Sequence, residues 1–486
     1  MKGNFNRVTE GRKRISQYAW EIFKQEFLEK ENLILGDSLS TIPQINQKTL
    51  FPLYPETDIP ESETLEIPSL KIRNAPQNRI GIVICRFGEE TSGGAEFLAR
   101  RLAEELVPDW QVDILTTCAL DYNSWKSVYP AGITQTSQGY RIIRFDQKEK
   151  NIQQLSDAWF KAFAPEHSPE DEIEWVQQMG PLSPDLFHYL QGKQEDYSLF
   201  LFIGYLWATS PLGMGPVAHK SILLPAAHHE PAIELGIYHK LLNSPQALIY
   251  LTPDEKMMVN QLLGNSRLDS EIIPLGLQTE LAGNEESFRA KTGIHDPYLL
   301  YLGRVDAGKG CLELIHTFQE YKKRYPGPLK LVLAGELFMD IPPAEDVISL
   351  GFVDETVKGG ALAAARILIN PSSLESLSLV LLESWLCEVP VLVNGLSPVM
   401  KAQCLRSQGG LWYRNSRELM AGIKLLMEED SLREELGESG KQYALSQDYC
   451  WDYLMVKFNL LVQRVIDNSQ QENQGNVLLE YLKPAE

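Results

Sequence analysis

Two successive series of short, unbroken apolar runs, each run leading into a loop and a helical pattern, constrain this chain more than any other feature. The first series begins abruptly after Arg79. Ile80–Cys85 (IGIVIC) is of strand length, and a glycine-containing loop and a helix over about Ala95–Leu106 follow it. Val112–Thr116, Leu199–Ile203, Ile222–Pro225, Ala247–Leu251 and Ile272–Leu275 continue the series. The second starts at Tyr298–Leu302 and runs on through Leu329–Ala334, Ile367–Asn370 and Val389–Val393. Runs without polar alternation belong to strands buried on both faces, which calls for helices on both sides of a mostly parallel sheet. Two series of this size predict two Rossmann-like domains, with a boundary near Gly276–Thr292.

The remainder of the 486 residues falls outside this pattern. Ile15, Tyr18, Ala19, Ile22, Phe23 and Phe27 recur at helical spacing, and a proline-rich arm from Pro43 to Pro76 follows. Lys2, Arg7, Arg12, Lys13 and Arg14 precede that helix with Glu10 as the one acid among the first fourteen residues. A basic amphipathic helix fits either a membrane surface or a berth on the protein body. The acids between Glu166 and Glu174 read as a solvated face. A last amphipathic helix is expected over about Cys450–Val465, with a polar tail after Asp467 that is mobile as far as Val477–Leu482.

Charge and cysteines narrow the class. Lys and Arg number 45 against 65 Asp and Glu, a formal net charge of −20, which argues against a general nucleic-acid binder. It leaves room for a locally positive pocket. The six cysteines form no CxxC pair and no zinc-ligand spacing, so buried free thiols in a reducing compartment are expected. No signal-peptide pattern opens the chain, and Tyr197–Trp207 is far short of the ~20 apolar residues of a membrane helix. A cytoplasmic location is expected, with the N-terminal helix more simply berthed on the body and peripheral contact at the inner face of the membrane as the alternative.

Three loops carry chemistry. Thr91-Ser92-Gly93-Gly94-Ala95-Glu96 joins the first strand to a helix start, where free N–H groups suit an anion. There is no G-x-G-x-x-G, which counts against a dinucleotide site. Gly303-Arg304-Val305-Asp306-Ala307-Gly308-Lys309-Gly310 nearly matches a P-loop, but Gly310 offers no hydroxyl for magnesium. Arg304 and Lys309 remain as two cations suited to a diphosphate, or as surface charges on a turn. In Pro371–Pro390 two carboxylates, Glu375 and Glu383, are separated by seven residues. Glu375 lies in the loop before a helix, and Glu383 sits among Leu382 and Leu386, where a carboxylate is costly unless paired or bound to a hydroxyl. The helix start at Ser378-Leu379 adds a second anion site.

The E-x₇-E block with its P-S-x-x-E and E-V-P-V-L-V flanks, the G-R-x-x-x-x-K-G loop and the G-G-A-E loop resemble the retaining glycosyltransferases of family four over about residues 79–467. The resemblance implies the α/β GT-B fold: two Rossmann-like, doubly wound parallel-sheet domains facing across a cleft, here with an N-terminal extension. The implied organisation is the extension (1–76), an acceptor-side domain (77–282), a nucleotide-sugar-binding domain (283–448), a helix crossing back to the first domain (449–467) and a tail (468–486). It assigns Arg304, Lys309, Gly94, Ser378 and Leu379 to the donor diphosphate, Glu383 to the ribose hydroxyls, and Glu375 to the donor sugar at the reacting carbon. Leu224–Pro231 resembles that family's cleft-histidine loop, with His228 as the histidine and His229 where an aspartate is usual. Ser376-Leu377-Ser378 stands where Gly-Phe-Gly is frequent, so the donor sugar does not follow from the resemblance.

The implied activity is sugar transfer from a nucleotide-diphosphate sugar to a saccharide, lipid or other hydroxyl acceptor, in polysaccharide biosynthesis. No cofactor or metal is implied, since cations and a helix start would stabilise the leaving group. Partners are the nucleotide-sugar donor and a saccharide or lipid-linked acceptor, with no nucleic acid. Two rival readings stay open: a nucleotide-sugar epimerase or hydrolase on the same fold, and a non-catalytic subunit of a polysaccharide-assembly system.

Overall fold

A strand apolar on both faces is stable in the interior of a sheet covered on both sides, and the chain builds two such sheets. The computed structural model describes residues 78–91 and 93–481; the N-terminal helix, the proline-rich arm and the membrane contact expected of them lie outside those residues. The first lobe comprises β1 (Arg79–Val83), α1 (Gly94–Leu106), β2 (Gln111–Thr117), β3 (Gly132–Gln135), β4 (Arg141–Phe145), α2 (Ile152–Ala162), α3 (Pro169–Met179), α4 (Pro184–Lys193), β5 (Leu199–Ile203), β6 (Ser221–Leu224), α5 (Gly236–Leu242), β7 (Ala247–Tyr250), α6 (Pro253–Leu263) and β8 (Asp269–Ile272). The second comprises α7 (Glu285–Thr292), β9 (Tyr298–Leu302), α8 (Cys311–Arg324), β10 (Lys330–Ala334), β11 (Val347–Gly351), α9 (Glu355–Ala364), β12 (Ile367–Asn370), α10 (Leu379–Leu386), β13 (Val391–Asn394), α11 (Pro398–Ser407), β14 (Gly410–Tyr413), α12 (Ser416–Glu428) and α13 (Asp430–Ala444). Helix α14 (Trp451–Tyr481) follows.

The first sheet runs β3-β4-β2-β1-β5-β6-β7-β8 and the second β11-β10-β9-β12-β13-β14. Only β3, paired with β4, is antiparallel among the described strands. Each order reverses once, between β1 and β5 and between β9 and β12. In doubly wound sheets a ligand crevice opens at the carboxyl ends of the strands at that reversal. The central strands β5 and β9 are buried at every residue, as their unbroken apolar sequences require.

Helix α14 couples the lobes. Leu454, Phe458, Leu461 and Val465 are buried in the same apolar cluster as Ile273, Leu275 and Leu277 of the first lobe. Each such side chain contributes about 1.5–3 kcal/mol. Polar contacts fix the register: the Lys457 ammonium donates to the Ile272 carbonyl at 2.5 Å, and Arg464 pairs with Asp269 and Glu271. Gly276 lies flat against the Trp451 ring, where a Cβ would come within 2.4 Å.

The structure corrects three expectations. The last strand of the first sheet is Asp269–Ile272, not Ile272–Leu275. That apolar run is instead a buried connection beneath α14, and the strand itself is a polar sheet edge whose two acids both pair with the single cation of Arg464. The terminal helix continues past residue 467 to Tyr481, so its polar sequence there is helical rather than a loose tail. Within the acidic stretch Glu172 is buried, accepting the N–H groups of Gly236 and Ile237 at 3.0 and 2.7 Å. It caps α5 rather than facing solvent. Of the cysteines, Cys85, Cys118, Cys311 and Cys404 are buried and free, whereas Cys450 is exposed. No helix among the described residues is long and apolar enough to cross a membrane.

Candidate functional site

The carboxyl ends of β9 and β12, the two strands at the reversal of the second sheet, each carry a loop. The β9 loop is Gly303–Gly310. Asp306 organises it: one carboxylate oxygen accepts the Lys309 N–H at 2.9 Å, and the other pairs with the Arg304 guanidinium. Gly310 has φ +77°, and a Cβ there would meet the Pro371 carbonyl at 2.7 Å. The residue that breaks the P-loop pattern is thus a glycine because the two loops pack backbone to backbone.

That packing brings Lys309 and Glu375 together. Their ammonium and carboxylate lie 2.7 Å apart, both partly buried, across 66 positions of sequence. Arg304 points elsewhere: it is 44% exposed, paired with Asp306, and stacked over the Phe338 ring at 5.4 Å.

The β12 loop continues into α10. Ser378, its N-cap, has φ +61°, a left-handed conformation that costs a non-glycine residue about 1–2 kcal/mol. The Asn370 side-chain amide donates to the Ser378 hydroxyl at 2.9 Å and holds the turn. No side chain caps the helix, so its first N–H groups, at Leu379 and Val380, are available to an anion.

Glu383, one turn further on, is buried and 2.9 Å from the Lys358 ammonium of α9. Burial raises its pKa in spite of that cation. The same burial would lower Lys358, but its attraction to Glu383 and Glu355 outweighs this and raises it. The Glu383 carboxyl is the more deeply buried partner of the pair. Sequence reasoning missed Lys358; the available signal was a lone lysine in the small, apolar helix ETVKGGALAA.

The first lobe contributes His228 from the loop after β6. The imidazole is largely enclosed, its Nδ1 has no hydrogen-bond partner, and Glu230 Oε1 lies 3.3 Å away. That oxygen already accepts the Tyr205 hydroxyl at 2.5 Å. Burial lowers the His228 pKa, Glu230 opposes this, and the charges of Lys309 and Glu375 from the other lobe act on it with opposite signs. His229 is exposed and reaches toward Glu234 instead. His228 is therefore the histidine that shares its electrostatic environment with the second lobe.

Gly94 opens α1 at the carboxyl end of β1, and nothing lies within 4 Å of a Cβ built there. It belongs to the reversal of the first sheet, whereas Lys309, Glu375 and Ser378 belong to the reversal of the second. Beside it the buried Glu96 is engaged by Arg86 and by the Tyr122 hydroxyl. Among the described residues no group of three or more His, Cys, Asp or Glu is arranged to hold a metal ion.

Residues 284–443, the lobe carrying Arg304, Lys309, Glu375 and Glu383, match the family described as glycosyl transferases group 1. No curated protein matches the chain in sequence. Among solved structures it is similar to a sucrose-phosphate synthase from Thermosynechococcus elongatus, at 18% identity and a TM-score of 0.59, over 80% of this chain and 99% of that one. It is similar to HepE of Anabaena in complex with UDP-glucose, at 15% identity and a TM-score of 0.56, over 81% and 99%. A third is WaaG, a glycosyltransferase involved in lipopolysaccharide biosynthesis, at 14% identity and a TM-score of 0.53, over 80% and 98%. These likenesses establish the two-sheet GT-B architecture.

Proposed function

We propose that this GT-B glycosyltransferase moves the sugar of a nucleotide-diphosphate sugar onto a hydroxyl of a saccharide or lipid-linked acceptor, with retention at the anomeric carbon and without a metal ion. The observation that carries the reading is the Lys309–Glu375 pair at the reversal of the second sheet, beside the uncapped start of α10 and facing His228.

As the bond from the sugar carbon to the phosphate oxygen breaks, positive charge grows on the ring and negative charge on the departing diphosphate. Lys309 and the N–H groups near Leu379 would stabilise the leaving group where that charge develops, and Arg304 would join them on leaving Asp306 for the diphosphate. Glu375, released from Lys309 when phosphate takes the ammonium, would orient the sugar and balance the ring charge. Glu383 would accept from the ribose hydroxyls. His228, kept neutral by burial, can donate or accept a hydrogen bond to a sugar hydroxyl without adding charge. Gly94 would bring backbone N–H groups from the first lobe on closure, which also excludes water. Retention here means attack of the acceptor hydroxyl on the face the leaving group departs from, the hydroxyl proton passing to the departing phosphate oxygen as the new carbon–oxygen bond forms.

The test is calorimetry against uridine, guanosine and adenosine diphosphate sugars, followed by NMR of the product's anomeric configuration with added acceptors. The uridine donor comes first, since HepE is described with UDP-glucose. Inversion would refute the proposed stereochemistry, and failure of every donor to bind would refute the site. Acceptor-independent release of free or epimerised sugar would favour the rival enzyme reading, and donor binding without turnover the non-catalytic one.

A further inference from the structure

The His228 loop contains a strained residue, and a buried anchor in the next helix holds it; the transfer chemistry uses neither. Ala226, two residues before the imidazole, has φ +49°, a left-handed conformation that an L-residue keeps only when its surroundings enforce it. The next residue supplies the enforcement. The Ala227 N–H donates at 2.6 Å to one carboxylate oxygen of Glu255, in the first turn of α6. The second oxygen accepts the Leu251 N–H at 2.7 Å. Glu255 is fully buried, and among the described residues no cation pairs with it. Burial pushes its pKa up to about 8, so the side chain is kept at a cost that its two backbone contacts must offset.

The same turn reaches the other lobe. The Glu255 N–H donates to the Thr252 hydroxyl at 3.1 Å, and that hydroxyl donates at 3.1 Å to the carbonyl of Ser376, the residue after Glu375. Asp254, between them, pairs with Arg406 of α11 at 2.7 Å. The start of α6 therefore touches the His228 loop on one side and the Glu375 loop on the other.

We propose that Glu255 is a positioning residue: its two oxygens clamp the strained Ala226–Ala227 turn to the start of α6 and so set His228 in register with Glu375. The role of the register rests on the function proposed above, whereas the clamp itself does not.

Glu255→Gln, assayed at about pH 9 where the Glu255 carboxyl is ionised, is the direct test, because an amide presents one acceptor where two N–H groups need two. Amide hydrogen exchange should show lost protection at Ala227 or Leu251, and the His228 imidazole signals should shift. In steady-state assays kcat should fall on the order of 10–100-fold, the range of a misplaced catalytic group, with donor KM within about threefold. Ala226→Gly added to Glu255→Gln should recover part of the loss, since glycine takes φ +49° without strain. A merely structural carboxylate would not produce that rescue. Should Glu255→Gln fail to accumulate, Glu255→Asp, one methylene short of spanning both amides, should give the same order of effects at smaller size. Unchanged exchange at both amides, or a double variant no faster than the single one, overturns the proposal. If wild type transfers no sugar while exchange changes as expected, the function reading fails and the clamp stands.

Discussion

Replacing Lys358 by Met should destabilise the second lobe in proportion to pH. Methionine keeps most of the aliphatic stem, so the lost element is the ammonium. Its partner Glu355 is exposed, and losing that contact matters little. Glu383 is buried, and stranding a buried charge costs ~3–5 kcal/mol if it stays ionised. Protonation caps the cost. Neutralising a carboxyl of ordinary pKa 4.5 takes about 1.36 kcal/mol per pH unit, hence at most about 3.4 kcal/mol at pH 7 and about 1.4 kcal/mol at pH 5.5. Wild type already carries part of this, since burial raises Glu383 even beside lysine. The sign follows from proton counting: above pH 4.5 the folded variant holds a proton that the unfolded chain releases, so its stability falls as pH rises. Differential scanning calorimetry of both proteins at the two pH values is the assay. The melting temperature should drop by up to about 14 °C at pH 7 and by less than half of that at pH 5.5. Adding Glu383→Gln should shrink the Lys358→Met loss, because no carboxylate is left to strand. Equal drops at both pH values, or none at pH 7, would refute the reasoning.

Lys309→Ala should weaken nucleotide-sugar binding and nearly abolish turnover, read by calorimetry and steady-state kinetics; unchanged donor affinity would remove Lys309 from the diphosphate site. The His228 imidazole, followed by NMR, should titrate below its ordinary 6.5, because burial lowers it. Its charged form is disfavoured in the folded chain, so this group's contribution to stability is present above pH 6.5 and lost as pH falls below it. Lys309→Ala should raise that pKa and Glu375→Gln should lower it further, while no response to either would mean that the lobes do not share the cleft. Ser378→Gly removes about 1–2 kcal/mol of left-handed strain, offset in part by ~0.5–1 kcal/mol of added chain entropy. It also leaves the buried Asn370 amide without its acceptor, at about 1–3 kcal/mol. The hydrogen bond wins, so a net loss of about 1 kcal/mol is expected in thermal melts, and a clear gain would show that strain dominates.

How much of this was legible beforehand differs by residue. Leu199–Ile203 and Tyr298–Leu302 were readable to the residue, because a central strand has no polar face to blur its limits. Gly132–Gln135, exposed throughout, gave no such signal, and the edge strand Asp269–Ile272 was hidden by the more apolar segment after it. Arg304, Lys309, Glu375 and Glu383 stood out as charged residues at strand ends and in an apolar helix. Glu172, Lys358 and Glu255 did not, because their burial is produced by segments far away in sequence.

The amino-acid sequence by itself determined the two parallel sheets, the loops at their reversals and the cations and carboxylates placed on them. Those properties depend on neighbours within a few residues, through apolar periodicity and turn chemistry. Only the tertiary structure decided which charges meet. Lys309 found Glu375, Lys358 found Glu383, and Glu255 found the backbone of the His228 loop, in each case because packing of separate elements removed water from between them. A charge's partner and protonation state are set by what surrounds it in space, and one-dimensional spacing carries that information only where the chain happens to fold back on itself locally.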